Sequence, residues 1–317
     1  MKRYKAPVTG LLMILTFLTS VLSSHAETLK VGYNNWIGFI GFFVAQEAGY
    51  FDERGIDVVA KEFAAPGEGL IPLINGDLDL HLTTLDSVIQ KMAQAPGSLQ
   101  IVYLHDTSNG ADALIGSSGV ASMADLKGHS VGVTVGECNH LLLVKALESV
   151  DLTEADVKVR NMDPDAAGAA LKAGAVDAAV TWEPWITEVV SGGGKVLFST
   201  EDAPNLILDC IAVNPKNAEA KADSISLFIE AVNLGNELAI SDPEKAATLI
   251  AESLGLSEAE ILDMLSGLIL YGKKANLELM DSSVTTSAEE LVSFFKDQGA
   301  VSGDVELDQL VNPSYLK

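Results

Sequence analysis

Basic residues are scarce: 20 Lys and Arg stand against 44 Asp and Glu in 317 residues, a formal net charge of −24. A field of that sign repels nucleic acid and anionic headgroups at long range, so DNA or RNA is excluded as a partner. Metal- and nucleotide-hydrolysis motifs are missing too. No HExxH, CxxC or GK[ST] phosphate loop occurs, no G-x-S-x-G elbow is present, and His81, His105, His129 and His140 are dispersed. No cofactor is implied. Only Cys138 and Cys210 exist, and their flanks read as small buried thiols; neither looks like a nucleophile, and whether they pair is left open by the sequence.

What is present is a folding composition. Hydrophobic residues make up 48% and charged residues 20%, with 27 Gly, enough apolar material for buried cores and too little charge density for wholesale disorder. The length exceeds one core of ordinary size, so two domains are expected. The first 26 residues stand apart: Lys2, Arg3 and Lys5 precede an apolar stretch from Gly10 to Leu22, and Ser24-His25-Ala26 ends it with small residues around a cleavage point. The expectation is a cleaved export signal and a periplasmic mature chain beginning near Glu27. Loss of those three basic residues takes the formal charge from −24 to −27.

From Leu29 onward, short β-type runs alternate with amphipathic helical stretches. The strand-like runs are 29–33, 56–63, 78–82, 99–104, 113–116, 130–135, 157–162, 176–182, 195–198 and 206–213. Strand, helix, strand in this cadence predicts an α/β fold with parallel-rich sheets covered on both faces. After Asn214 only helical periodicity continues, with helix starts marked by Asp242-Pro243 and by the capping-box pattern Ser257 to Glu260. The economical arrangement is two lobes: residues 27–108 with 206–317 form lobe I, and residues 109–205 form lobe II. Two crossings then leave a cleft with a hinge, and ligands bind where parallel strands end.

Several stretches fall at the spacing this arrangement requires: Val31 to Trp36, Val44 to Phe51, Gly55 to Val58, Ile74 to Asp79, Asp125 to Gly128, Leu171 to Ala178 and Thr181 to Trp185. In their joint order they resemble the periplasmic solute-binding proteins of ABC importers for nitrate, sulfonates and taurine, the NMT1-like family, over residues 28 to 300. The resemblance implies a two-lobed venus-flytrap fold of type II that closes on a small solute and, as a monomer, docks on a membrane permease with its ATPase. It implies capture and not catalysis. A pyrimidine-precursor enzyme exists on the same fold, but its clustered Cys and His reagents have no counterpart here, and a partner that reports to a receptor is a further reading.

The candidate ligand residues sit at strand ends. Trp36 follows the first strand in an Asn- and Gly-rich turn, where an aromatic walls a cleft. Thr83 and Thr84 open a helix with Asp86 and Ser87; Thr84 is expected to cap and Thr83 to face the ligand. Asp112 follows the crossing Ser108 to Ala111, Glu137 and His140 flank a helix start at Cys138, and Trp182 with Glu183 ends a strand. The family's anion binders, by resemblance, carry small hydroxyl residues where Glu137 stands. Asp209 interrupts the apolar run Leu206 to Val213, which is costly unless it meets a cation or several donors; by resemblance, an Asp here faces the amine of taurine. No Lys or Arg occurs in these segments. The expected solute therefore carries an amine, a guanidinium-like or a zwitterionic taurine-like group, with an aliphatic sulfonate or nitrate as the alternative.

Overall fold

The computed structural model describes residues 27–280 and 283–316, so the expected leader, residues 1–26, lies outside the described residues. Two sheets organise the chain. The first contains β1 (Glu27–Asn34), β2 (Ile56–Phe63), β3 (Leu80–Thr84) and β4 (Gln100–Ser108). The second contains β5 (Asp112–Gly116), β6 (Ser130–Val133), β7 (Lys158–Asn161), β8 (Ala178–Trp182) and β9 (Lys195–Ser199), in the order β7-β6-β8-β5-β9. The chain then returns, and β10 (Leu208–Val213) with β11 (Leu268–Leu270) completes the first sheet in the order β11-β4-β10-β3-β1-β2.

All ten strand-like runs of the sequence become strands, but the sheets are mixed. β1 runs parallel to β2 and β3, and β6 runs parallel to β7 and β8. Apart from the edge pairing of β11 with β4, the antiparallel pairings gather on β5 and β10, the strands on which the chain enters a sheet from a crossing. β11 departs from the helical reading of the C-terminal third. The helix Glu258–Ser266 stops at Gly267, and the next three residues pair with β4 at the sheet edge. A helix at Lys273–Leu279 was likewise not legible as a separate element.

Helices cover both faces of each sheet, which is why the central strands read as near-continuous apolar runs. Phe39, Phe42 and Phe228 fill one side of the first sheet, and Leu70, Leu85 and Ile89 the other. Leu126, Leu142 and Leu147 lie on one side of the second, Ala167, Leu171 and Ile186 on the other. Each such side chain contributes about 1.5–3 kcal/mol on burial, so truncating Phe228 to Ala costs about 3–5 kcal/mol. The C-terminal helices pack on the helix Ile40–Glu47 through two glycines. A Cβ on Gly41 would stand 2.6 Å from the Val232 carbonyl, and one on Gly235 would stand 2.2 Å from that of Gly41. The capping box forms as expected: the Glu260 N–H donates to Ser257 Oγ at 3.2 Å, and the Ser257 N–H to Glu260 Oε2 at 2.8 Å.

The sheets are joined twice, between β4 and β5 and between β9 and β10. The crossings are tied together at one place. Thr200 Oγ1 lies 2.9 Å from Ser108 Oγ and accepts from the Gly110 N–H at 2.7 Å. Gly110 has φ 116°, a conformation that side chains other than glycine rarely adopt. Both Cys138 and Cys210 are buried free thiols.

Candidate functional site

The sheets meet at their strand ends. Asp209 on β10 is the cross-strand partner of Asp106 on β4 and of Thr84 on β3, and residues paired in this way project from the same face. The helix Leu85–Gln94 begins directly after Thr84 and carries Asp86 in its first turn. Across the cleft, Asp112 opens β5 opposite Trp182, the last residue of β8. Trp36 and Trp182 meet from the two sides with ring centroids 5.8 Å apart and planes tilted by 50°.

Four carboxylates thus converge: Asp86, Asp106, Asp112 and Asp209 are each at most 2% exposed. No ion pair of the described residues includes any of them, and their oxygens Asp86 Oδ2, Asp106 Oδ1 and Oδ2, Asp112 Oδ2 and Asp209 Oδ2 have no hydrogen-bond partner. Asn34 Oδ1, Trp36 Nε1 and Asn139 Nδ2 are buried and unpartnered as well. Burial dominates the electrostatics. It holds the Asp86 carboxyl up at about 7, helped by the charge of Glu137, and the Asp112 carboxyl at about 7 against a hydrogen bond from Ser108. Asp209 is driven well above the usual carboxylate range by burial and then by the charges of Asp106, Asp112 and Asp86; Asp106 is raised by burial and by Asp112.

Gly38 makes room for this arrangement. A Cβ there would lie 2.2 Å from Asp106 Oδ2 and 2.3 Å from Trp36 Nε1, so the indole N–H stands beside the carboxylate. It is close enough to favour the charged form of Asp106 without making a hydrogen bond of good geometry. Among the described residues, no three His, Cys, Asp or Glu side chains come close enough together to hold a metal ion. The carboxylates are buried near one another without surrounding a single point.

The other expected site residues have different work. Thr83 Oγ1 donates to the Pro66 carbonyl at 2.8 Å, so it anchors a loop, whereas Thr84, expected as the cap, lies opposite Asp209 with its hydroxyl 2.9 Å from Ser87 Oγ. The pleat decides this, because adjacent strand residues face opposite sides. Glu137 reaches across the cleft: its Oε2 accepts from the Gly67 N–H at 3.1 Å and from Ser87 Oγ at 2.7 Å. Gln90 Nε2 adds a bond of 2.6 Å to the Gly136 carbonyl beside it. Burial raises the Glu137 carboxyl while the Ser87 and Gly67 bonds lower it. His140 is turned from the acids, with Nδ1 accepting from the Gly136 N–H at 3.2 Å and Nε2 2.6 Å from Glu154. Glu183 is satisfied by the Thr187 N–H and hydroxyl at 3.0 Å, a helix-start role. Trp182 Nε1 donates to Asp165 at 3.1 Å, which leaves its ring against Trp36.

Trp36, Asp112, Trp182 and Asp209 are therefore brought together, Glu137 stands at their edge, and Thr83, His140 and Glu183 are held elsewhere. Asp106 was missed. It follows the apolar run 99–104 in the polar stretch His105-Asp106-Thr107-Ser108, which reads as chain leaving the core; all four are buried because β10 and β11 flank β4. Asp86 passed as a helix-start residue, although its place beside Thr84 was the available signal.

Residues 36–246 match the family described as NMT1/THI5 like. A protein of Escherichia coli strain K12 named for aliphatic sulfonate binding is 27% identical over 323 residues, covering 99% of this chain and 97% of its own. The taurine-binding periplasmic protein of the same strain is 22% identical over 261 residues, 78% of this chain and 80% of its own. Among solved structures, the alkanesulfonate-binding protein of Xanthomonas axonopodis pv. citri bound to MOPS has a TM-score of 0.76 at 20% identity, covering 92% of this chain and 99% of that one. At that identity the structural likeness is one of fold.

Proposed function

The chain belongs to the NMT1/THI5-like family, and on that footing we propose that it is the periplasmic capture component of an ABC importer, handing a small solute to a permease and its ATPase. The solute carries an amine or guanidinium-like group, taurine-like zwitterions included. One observation carries the ligand reading: Asp86, Asp106, Asp112 and Asp209 are buried together without a basic partner. Buried charge of one sign is costly, and a bound cation with N–H donors compensates it. The lobes, residues 27–108 with 206–317 and residues 109–205, close over the solute by bending at the two crossings.

Capture without turnover is supported by the state of a thiol near the acids, Cys138. Burial and then the charges of Asp86, Asp112, Glu137 and Asp209 push Cys138 well above its ordinary range, so it stays a neutral thiol and a poor nucleophile. Among the described residues no helix is long and apolar enough to cross a membrane. A sulfonate or nitrate ligand is the second reading, favoured by the relatives' names and by the unpartnered donors Trp36 Nε1 and Asn139 Nδ2.

A thermal-shift screen over amines, guanidino compounds, taurine, alkyl sulfonates and nitrate tests the proposal, since a ligand of the folded state raises its melting point. Amines or guanidino compounds are expected to stabilise, with the effect weakened in Asp209→Asn. Stabilisation by sulfonates or nitrate alone, unchanged in Asp209→Asn, overturns the cationic reading.

A further inference from the structure

We propose that the captured solute is a dication, a short linear diamine whose two ammonium groups are held by Asp106, Asp209 and Asp112 at one end and by Asp86 at the other; this rests on the cationic reading of the cleft. The first argument is charge balance. Asp106 and Asp209 are cross-strand neighbours, so one proton shared between them leaves one negative charge on that pair, with Asp112 and Asp86 as further buried carboxylates whose charges act on Asp209. A monocation leaves most of that charge uncompensated, and a zwitterion adds no net charge at all. Two ammonium groups match it far better.

Geometry gives the second argument. The carboxylates arise from separate elements: Asp106 and Asp209 from β4 and β10, Asp112 from the start of β5, Asp86 from the first turn of the helix Leu85–Gln94. No three of them converge as an ion-binding group would among the described residues. Asp86 stands in the first turn of the helix that follows Thr84, the cross-strand partner of Asp209, and so on a different element from the β4–β10 ladder that holds Asp106 and Asp209. An extended ligand with charge at both ends suits that arrangement.

The neutral atoms fit the same ligand. Asn34 Oδ1 adds a buried, unpartnered acceptor at the end of β1 for an ammonium N–H, and Trp36 Nε1, 3% exposed as a residue, stands beside Asp106. The rings of Trp36 and Trp182 supply an apolar wall for methylene groups between the charged ends and faces for the ammonium groups themselves. No Lys or Arg is paired with any of the four acids, so a sulfonate or carboxylate tail on the solute has no cationic anchor here.

Isothermal titration calorimetry of the protein with 1,4-diaminobutane, 1,5-diaminopentane, 1-aminobutane, taurine and ethanesulfonate, at one pH and ionic strength, tests this. At least one diamine is expected to bind about a hundredfold or more tighter than 1-aminobutane, about two factors of ten in Kd or roughly 2.8 kcal/mol. Asp86→Asn and Asp209→Asn are each expected to shrink that ratio below about tenfold by weakening the diamine more than the monoamine. Equal or tighter binding of 1-aminobutane overturns the dication and leaves the cationic reading standing. Binding of taurine or ethanesulfonate alone overturns both, and failure of both diamines to bind overturns the dication. A ratio that survives both substitutions overturns the assignment of the two ends.

Discussion

Asp106 and Asp209 stand side by side on the β4–β10 ladder, 103 residues apart in sequence, with both carboxylates out of water and no basic side chain paired with either. Protein folding brings like charges together at such cost only where something else compensates them. The pair is therefore the point at which binding and stability oppose each other.

Replacing Asp209 by Asn removes, at nearly constant shape, a carboxyl whose ionised form is opposed by burial and by the charge of Asp106. At alkaline pH, where the Asp209 carboxyl is driven to ionise, the empty variant is expected to melt higher than the parent, by about 2–4 °C for each kcal/mol of repulsion relieved in a chain of this size. Affinity for a cationic solute is expected to fall by about thirtyfold or more, the lower end of the 2–5 kcal/mol cost of truncating a buried charge partner. Paired melting curves and titrations of the variant check both signs; a variant that is less stable when empty at alkaline pH contradicts the arrangement.

Acidity should act on the empty protein in an unusual direction. Asp86 and Asp112 titrate at about 7 in the folded chain, against the ordinary 3.8, so between those values the native state holds more protons than the unfolded one, and stability rises as pH falls. His81 and His105, buried and neutral with values pushed down to about 4 and about 3, act oppositely once pH drops below their ordinary 6.5. The melting temperature is expected to climb from pH 8 to 6.5 and then to climb more slowly. Each carboxylate contributes up to about 1.4 kcal/mol per pH unit in its window. A flat or falling curve between pH 8 and 6.5, measured without ligand, contradicts this.

Glu137 fastens the second lobe to the first through the Gly67 N–H and the Ser87 hydroxyl. Each hydrogen bond to a charged group is worth about 1.5–3 kcal/mol, so Glu137→Ala is expected to open the empty protein and enlarge its radius of gyration. Small-angle scattering of the two proteins without ligand makes the comparison. Identical profiles mean that other contacts hold the cleft shut.

Gly38→Ala places a methyl group 2.2 Å from Asp106 Oδ2 and 2.3 Å from Trp36 Nε1, at a position whose backbone is not in the left-handed region. The clash must displace the carboxylate, the indole or both. Solute affinity is expected to fall at least tenfold, equivalent to about 1.4 kcal/mol, while circular dichroism shows an intact fold. Unchanged affinity places the binding site away from this corner.

The sequence made some of this visible and hid the rest for physical reasons. Asp209 was legible because a charged residue inside the apolar run 206–213 has to be compensated. Strand ends were legible from hydrophobic runs, and with them Trp36, Asp112 and Trp182. Asp106 was not, since the polar residues 105–108 are buried by strands that come from 100 and more residues later. Thr84 holds the helix N-cap position as expected but also lies opposite Asp209, while Thr83 turns to the Pro66 carbonyl, because facing depends on register, which local pattern does not fix. His140 and Glu183 sit at the right element ends but are satisfied by Glu154 and Thr187 nearby. β11 is three residues at an edge, too short to interrupt the helical periodicity around it.

β10 is the seam of the first sheet: it lies between β4 and β3, and without it the sheet falls into β11-β4 and β3-β1-β2. The second sheet uses one uninterrupted stretch of chain, Asp112 to Ser199, and contains only pairings closed within that stretch. Vectorial emergence of such a chain therefore builds in an order, with the middle segment free to fold first and the first sheet left split until residues 208–213 arrive. The acids of the cleft share that schedule. Asp106 and Asp209 meet only when β10 pairs with β4, and the same step buries the apolar residues Cys210 to Val213, whose burial offsets the cost of bringing the acids together.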